Sequence, residues 1–197
     1  FTFDFTDQLS GTIGARYFDS DNSLKGFFGY SDGYNGNPAY GEGYCNSLPV
    51  PPNTFNGAPC KVFDKTTTED GVTPRVNLTY KVTDEAMVYA TYSEGFRPGG
   101  INRRGTLPPY QADWLTNYEL GWKTTWFDDR LRFNGAVFGQ EWDDFQFSLL
   151  GANGLTEINN AGAAQIDGIE MDVSWAVTDQ LGISAGLPFM LIFDTLS

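Results

Sequence analysis

Three groups of residues in this chain carry side chains able to do chemistry. Arg97, Arg103 and Arg104, with Asn102 beside them, form a positive cluster in a stretch rich in Gly and Pro. Arginine forks bind carboxylates and similar anions through paired N–H donors, so the cluster suits an anionic ligand. The competing reading is an ordinary solvated loop, because exposed charges need no purpose. Glu141, Asp143 and Asp144 are the second group. Paired carboxylates can hydrolyse a glycoside or hold calcium. These three follow one another along one strand end, facing alternately rather than across a cleft, so a solvated loop base is the better reading. Cys45 and Cys60 are the third, in a Gly/Pro/Asn-rich segment without strand alternation. Such a pair reads as a disulfide and implies an oxidising compartment, with two free thiols as the alternative.

Composition removes most other chemistry. There are 25 acidic and 12 basic residues, a net charge of −13, and no His. Without His the usual general base and the commonest zinc ligand are missing, and two isolated Cys make a poor metal site. An acidic surface repels phosphate backbones, so nucleic acid is not an expected partner. The chain reads as a non-enzyme with no metal and no cofactor.

The elements that must position these groups are strands. Aromatics make up 16% of the residues and Gly counts 23, a mix of strand and turn formers, which predicts an all-β chain. No stretch approaches the ~20 apolar residues of a membrane-spanning helix. A short turn recurs: Phe5-Thr6-Asp7-Gln8-Leu9, Val82-Thr83-Asp84-Glu85-Ala86 and Val177-Thr178-Asp179-Gln180-Leu181, with a looser copy at Phe127-Asp128-Asp129-Arg130-Leu131. Asp and Thr suit tight turns because their side chains bond nearby amides. Each copy is flanked by period-two alternation, as in Leu9, Gly11, Ile13, Ala15 and Tyr17 against Ser10, Thr12, Gly14 and Arg16. Met87–Ser93 is strand-like, but its faces are too mixed to assign.

This rhythm predicts about eight antiparallel up-and-down strands in four hairpins, with short turns at one end. Long connections, roughly residues 19–72, 94–114 and 149–160, lie at the other, which is how an outer-membrane β-barrel is built. Phe3, Phe5, Tyr80, Trp122, Trp126, Phe133 and Trp175 gather near the turns, as an aromatic girdle at a lipid boundary would. A soluble β-sandwich that binds glycans or acts as an adhesin is the alternative, since it too buries one face. In the long connection, Phe27, Phe28, Tyr30, Tyr34, Tyr40 and Tyr44 suit stacking on a ligand, but packing of the loop on itself is the favoured reading.

The stretch Met87-Val88-Tyr89-Ala90-Thr91-Tyr92-Ser93-Glu94-Gly95-Phe96-Arg97-Pro98-Gly99-Gly100 resembles a barrel strand and loop entry of TonB-dependent outer-membrane receptors. Tyr118-Glu119-Leu120-Gly121-Trp122-Lys123 resembles the family's next strand, and Asn160–Glu170 the strand that returns from the following loop. The resemblance covers residues 1–187. It implies a barrel of roughly 22 strands around an N-terminal plug, in the bacterial outer membrane. It also implies import of a scarce ligand, most readily an iron–siderophore, energised through the TonB protein. Phe1-Thr2-Phe3-Asp4-Phe5 is already in strand alternation, so the segment reads as cut from a larger receptor. Residues 188–197 break the alternation and place Pro188 where a strand should continue, so they read as an aberrant or truncated tail.

Overall fold

The computed structural model describes residues 1–27, 61, 63–103, 107–151 and 156–195. Among them all regular structure is strand: β1 Thr2–Asp4, β2 Leu9–Gly26, β3 Phe63–Thr83, β4 Ala86–Arg97, β5 Asp113–Trp126, β6 Leu131–Asp143, β7 Gln146–Leu150, β8 Thr156–Asn160, β9 Ala163–Ala176 and β10 Gly182–Thr195. Eight of these form one antiparallel sheet in the order β1-β2-β3-β4-β5-β6-β9-β10, while β7 and β8 make a separate hairpin. The large sheet is open, with β1 and β10 as its edges. No second sheet of comparable size faces it among the described residues, so the sandwich alternative has no partner layer.

The recurring Thr-Asp turn does the work expected of it, through the threonine. Thr6 Oγ1 accepts from the amides of Gln8 at 3.2 Å and Leu9 at 2.9 Å, and Thr83 Oγ1 from Glu85 at 3.2 Å. Thr178 Oγ1 accepts from Gln180 and Leu181 at 3.2 and 3.0 Å. The looser copy lacks the threonine and turns by backbone conformation instead: Phe127, Asp128 and Asp129 all have φ between 55° and 64°. Left-handed φ at both central residues matches the twist of a hairpin, and Asp tolerates it better than most residues. We expect Asp129→Val to cost about 1–2 kcal/mol and Asp129→Gly to be neutral or stabilising, read from unfolding midpoints in lipid vesicles.

Register shows why one face of every strand is greasy. One row of neighbours runs Gly11, Leu78, Ala90, Leu120, Val137, Ile169 and Phe189 across seven strands. The next row toward the turns runs Leu9, Tyr80, Val88, Trp122, Gly135, Met171 and Leu187. Leu120 is 56% exposed and Leu187 62%, so this face has no protein cover. An apolar face of this extent needs a partner, and a bilayer supplies one. Trp126 and Trp175 lie in the row beside the turns, both exposed, where an aromatic girdle belongs.

Several cross-strand pairs set a ring over a glycine. Tyr89 covers Gly121, Trp122 covers Gly135, and Phe138 covers Gly168. The ring fills the place of a missing side chain and shields the backbone. A methyl group at Gly135 would collide with the Trp122 ring and stand 2.9 Å from the Glu170 carbonyl. Gly135→Ala should therefore destabilise the sheet by about 1–3 kcal/mol. Gly14→Ala, with nothing within 4 Å, is the control that should show no such clash.

Three expectations from the sequence need correction. The connection at 19–72 is shorter, because β2 and β3 stay paired out to Gly26 opposite Phe63. Residues such as Asp19, Ser20, Asp21, Asn22 and Ser23 are polar on both faces, so the period-two signal fades although the ladder continues. The third connection, expected at 149–160, begins earlier: Asp144, at φ 52°, follows the end of β6, and the connection is built on the β7–β8 hairpin. The segment after Leu187 is not a break either. β10 stays in register from Gly182 to Thr195, with Pro188 opposite Glu170. Pro188 has no N–H to give to the ladder, yet the pairing continues on both sides of it, Leu187 opposite Met171 and Phe189 opposite Ile169. Alternation vanishes because Leu187, Phe189 and Leu191 on one face and Pro188, Met190 and Ile192 on the other are all apolar.

Candidate functional site

The face opposite the apolar rows is polar over its central strands. Its rows run Thr12, Asn77, Thr91 and Glu119, and then Ser10, Thr79, Tyr89, Gly121, Ala136 and Glu170. Asn77 Nδ2 donates to Thr91 Oγ1 at 2.8 Å, and Thr79 Oγ1 donates to Asn77 Oδ1 at 2.9 Å. Asn134 Nδ2 donates to Asp172 Oδ2 at 3.1 Å, and Lys123 lies 5.9 Å from the Tyr89 ring centroid. Arg75, Asn77, Tyr89, Glu119 and Lys123 line a depression of about 710 Å³ on this wall. The mixed character of Met87–Ser93 is thus explained. Val88 and Ala90 belong to the apolar face, and Met87, Tyr89, Thr91 and Ser93 to the polar one.

The loop rim is the second region, and it holds most of the sequence-predicted site. Carrying the β4–β5 register outward from Ala90 opposite Leu120 places Arg97 opposite Asp113. The Arg97 guanidinium donates from Nε to both Asp113 oxygens, at 3.3 and 3.2 Å, and from Nη2 to Oδ2. Asp113 is 1% exposed, and its Oδ2 also accepts from the Gln146 amide at 2.9 Å. Arg97 further donates to the Gln146 carbonyl at 3.0 Å and lies 5.6 Å from the Trp142 ring centroid. Its fork is thus directed at the protein's own carboxylate.

Asn102 is 4% exposed and also faces inward. Its Nδ2 donates to the Ile158 carbonyl at 2.9 Å, and its Oδ1 accepts from the Ile158 amide at 2.7 Å. Arg103 is exposed and lies with Asn22, Lys25, Phe27, Ile101 and Tyr110 around a small depression. Arg104, Cys45 and Cys60 lie outside the described residues, as do Phe28, Tyr30, Tyr34, Tyr40 and Tyr44. Nearby, the Lys61 ammonium, helped by Lys25, holds the Asp64 carboxyl below the usual range. Glu141, Asp143 and Asp144 do not gather: Glu141 pairs with Thr116, Asp143 with Trp114, and Asp144 forms the bend after β6. The sequence reading missed Asp113, Gln146 and Asn160. Register extension alone would have found Asp113.

Comparison with known proteins agrees with this architecture. The family model described as TonB dependent receptor-like, beta-barrel matches residues 1–195. A ferric-pyoverdine receptor of Pseudomonas sp. strain M114 is 30% identical over 68% of this chain and 16% of its own length. A probable TonB-dependent siderophore receptor of Acinetobacter baumannii is 25% identical over 61% of this chain and 17% of its own. The crystal structure of the ferric yersiniabactin uptake receptor from Yersinia pestis superposes with a TM-score of 0.69, at 20% identity, over 97% of this chain and 25% of that one. The pyoverdine outer membrane receptor of Pseudomonas aeruginosa, bound to pyoverdine, gives 0.63 at 19% identity, over the whole of this chain and 24% of its own. The chain thus spans about a sixth of the length of the curated relatives it matches. With one apolar face, one polar face, short turns at one rim and long connections at the other, the chain belongs to the TonB-dependent receptor β-barrel family of the bacterial outer membrane.

Proposed function

We propose that this chain forms part of the wall of a receptor that imports an iron–siderophore across the outer membrane, energised through the TonB protein. The observation that carries the reading is the eight-strand sheet with an uncovered apolar face and a polar, hydrogen-bonded opposite face. Bare leucines, valines and aromatics on the first face meet outer-membrane lipid. The second face lines the interior, where a ligand passes. The choice of an iron–siderophore draws support from relatives named as siderophore and ferric-pyoverdine receptors. The role is transport rather than catalysis, because the one acidic group with enzymatic potential is scattered along a strand end. Arg103, beside a small depression at the rim, and Arg104, next in sequence, are the arginines this reading offers to an anionic ligand. Arg97 and Asn102 hold the loop that carries Arg103.

Deleting the parent receptor gene and measuring uptake of labelled ferric siderophores by iron-limited cells tests this. Uptake of one ferric siderophore should disappear, and should disappear equally when TonB is removed. Unchanged uptake of every ferric siderophore, with loss of a cobalamin or glycan instead, would replace the ligand class.

A further inference from the structure

The polar face carries two arginines side by side on neighbouring strands. Arg75 lies two residues along β3 from Asn77, and Arg16 four along β2 from Thr12, so both share that face. Arg75 stands opposite Gly14 and Arg16 opposite Thr73, which makes the arginines diagonal neighbours, about 7–8 Å apart at their backbones. Both are exposed, and neither meets a carboxylate within ion-pair distance among the described residues. Arg97, four residues along β4 from Ser93 toward the rim, differs, since Asp113 already holds it. The row through Arg75 is a row of donors. Across β3–β4 it meets Ser93, and across β4–β5 Ser93 meets Asn117. Gln140 Nε2 donates to Asn117 Oδ1 at 3.0 Å, so the chain itself takes that acceptor and leaves Nδ2 as the donor end. Arg75, Ser93 and Asn117 all line the depression of about 710 Å³. Glu119, in the same lining, takes a hydrogen bond from the Tyr89 hydroxyl. At Gly14 and Gly95, which flank the row, a Cβ would meet no atom within 4 Å, so the space over it is open.

Two guanidiniums at this spacing repel one another. A carboxylate or phosphate group between them removes that repulsion and accepts from both forks at once. We infer that Arg16, Arg75, Ser93 and Asn117 form an anion station on the interior wall, which takes a carboxylate or phosphate group of the ligand once it has passed the rim. The row of Arg75 lies about 13 Å inward of the Arg97–Asp113 pair, four residues at strand rise. The identity of the anion's carrier rests on the transport reading; the station itself does not.

Arginine-selective modification by a dicarbonyl reagent, read by mass spectrometry on the full-length receptor in lipid nanodiscs, tests the station. The probes are iron-free citrate and inorganic phosphate. In the ligand-free receptor both Arg16 and Arg75 should react. Citrate at roughly ten times its dissociation constant should slow both by about tenfold, by mass action. Arg130, at the turn rim, should react at an unchanged rate. Arg75→Gln should abolish citrate protection at Arg16, because one guanidinium alone no longer shares the anion. Should that variant misfold, the wild-type comparison already decides. Unchanged rates at Arg16 and Arg75 with both anions would overturn the station. So would unreactive arginines in the ligand-free receptor, the result expected if a carboxylate of the receptor itself already holds them. None of these measurements needs iron or TonB, so a change of ligand class in the uptake experiment leaves their outcome standing.

Discussion

Replacing Asp113 by alanine is expected to destabilise the rim by about 2–3 kcal/mol. The carboxylate is 1% exposed and holds the Arg97 guanidinium and the Gln146 amide together. Its removal leaves that amide without a partner, and leaves Arg97 held only by the Gln146 carbonyl and the Trp142 face. Arg97 is about half exposed, so water recovers part of the loss, and the figure stays below that of a fully buried pair. Arg97→Ala should be at least as damaging, since it strands a charge in a site with almost no solvent. The double variant should cost less than the two single changes added, because each already removes the shared interaction. Unfolding by urea from lipid vesicles, run on all three variants, measures the cycle.

A charge in the middle of the apolar face should cost about as much or more. Leu120 sits near the centre of β5, flanked in its row by Ala90 and Val137. Leu120→Arg should destabilise the folded receptor in a bilayer by about 2–4 kcal/mol, the range for a cation held at the midplane of a barrel wall. The same substitution one residue away tests the face assignment. Thr91, on the neighbouring strand, lies on the polar face opposite Glu119, so Thr91→Arg meets water and a carboxylate. It should change stability by less than about 1 kcal/mol. Equal losses at the two positions would mean that the faces are not distinguished by lipid.

Much of this was legible in the sequence, and the misses share a physical cause. The hairpin rhythm, the turn positions and the apolar rows follow from period-two alternation, which exists wherever one face meets lipid and the other water. Where both faces meet the same medium, the pattern has nothing to record. That is why the outer parts of β2 and β3, with Asp19 to Ser23 on one and Thr66 to Glu69 on the other, read as loop although they are paired. The end of β10 reads as aberrant for a related reason: its side chains are apolar on both faces, so alternation is lost although the ladder continues. The site was harder for another reason. Arg97 and Asn102 stood out as donors, but only pairing shows where donors point. Arg97 meets Asp113 across one ladder, and Asn102 meets Ile158 from a loop 56 residues away in the chain. Neither contact leaves a local signature.

The central claim is that one face of this sheet meets lipid and the other an aqueous interior. Site-directed labelling along β5 in the full-length receptor, reconstituted in bilayers, tests it most directly. Single cysteines at positions 118, 120 and 122 and at 117, 119 and 121 would carry an environment-sensitive probe, quenched either from the acyl chains or from water. The even positions should be quenched by the lipid-borne quencher and the odd ones by the aqueous quencher, with the two responses alternating residue by residue. Aqueous quenching at all six positions, or lipid quenching on the odd set, would contradict the account.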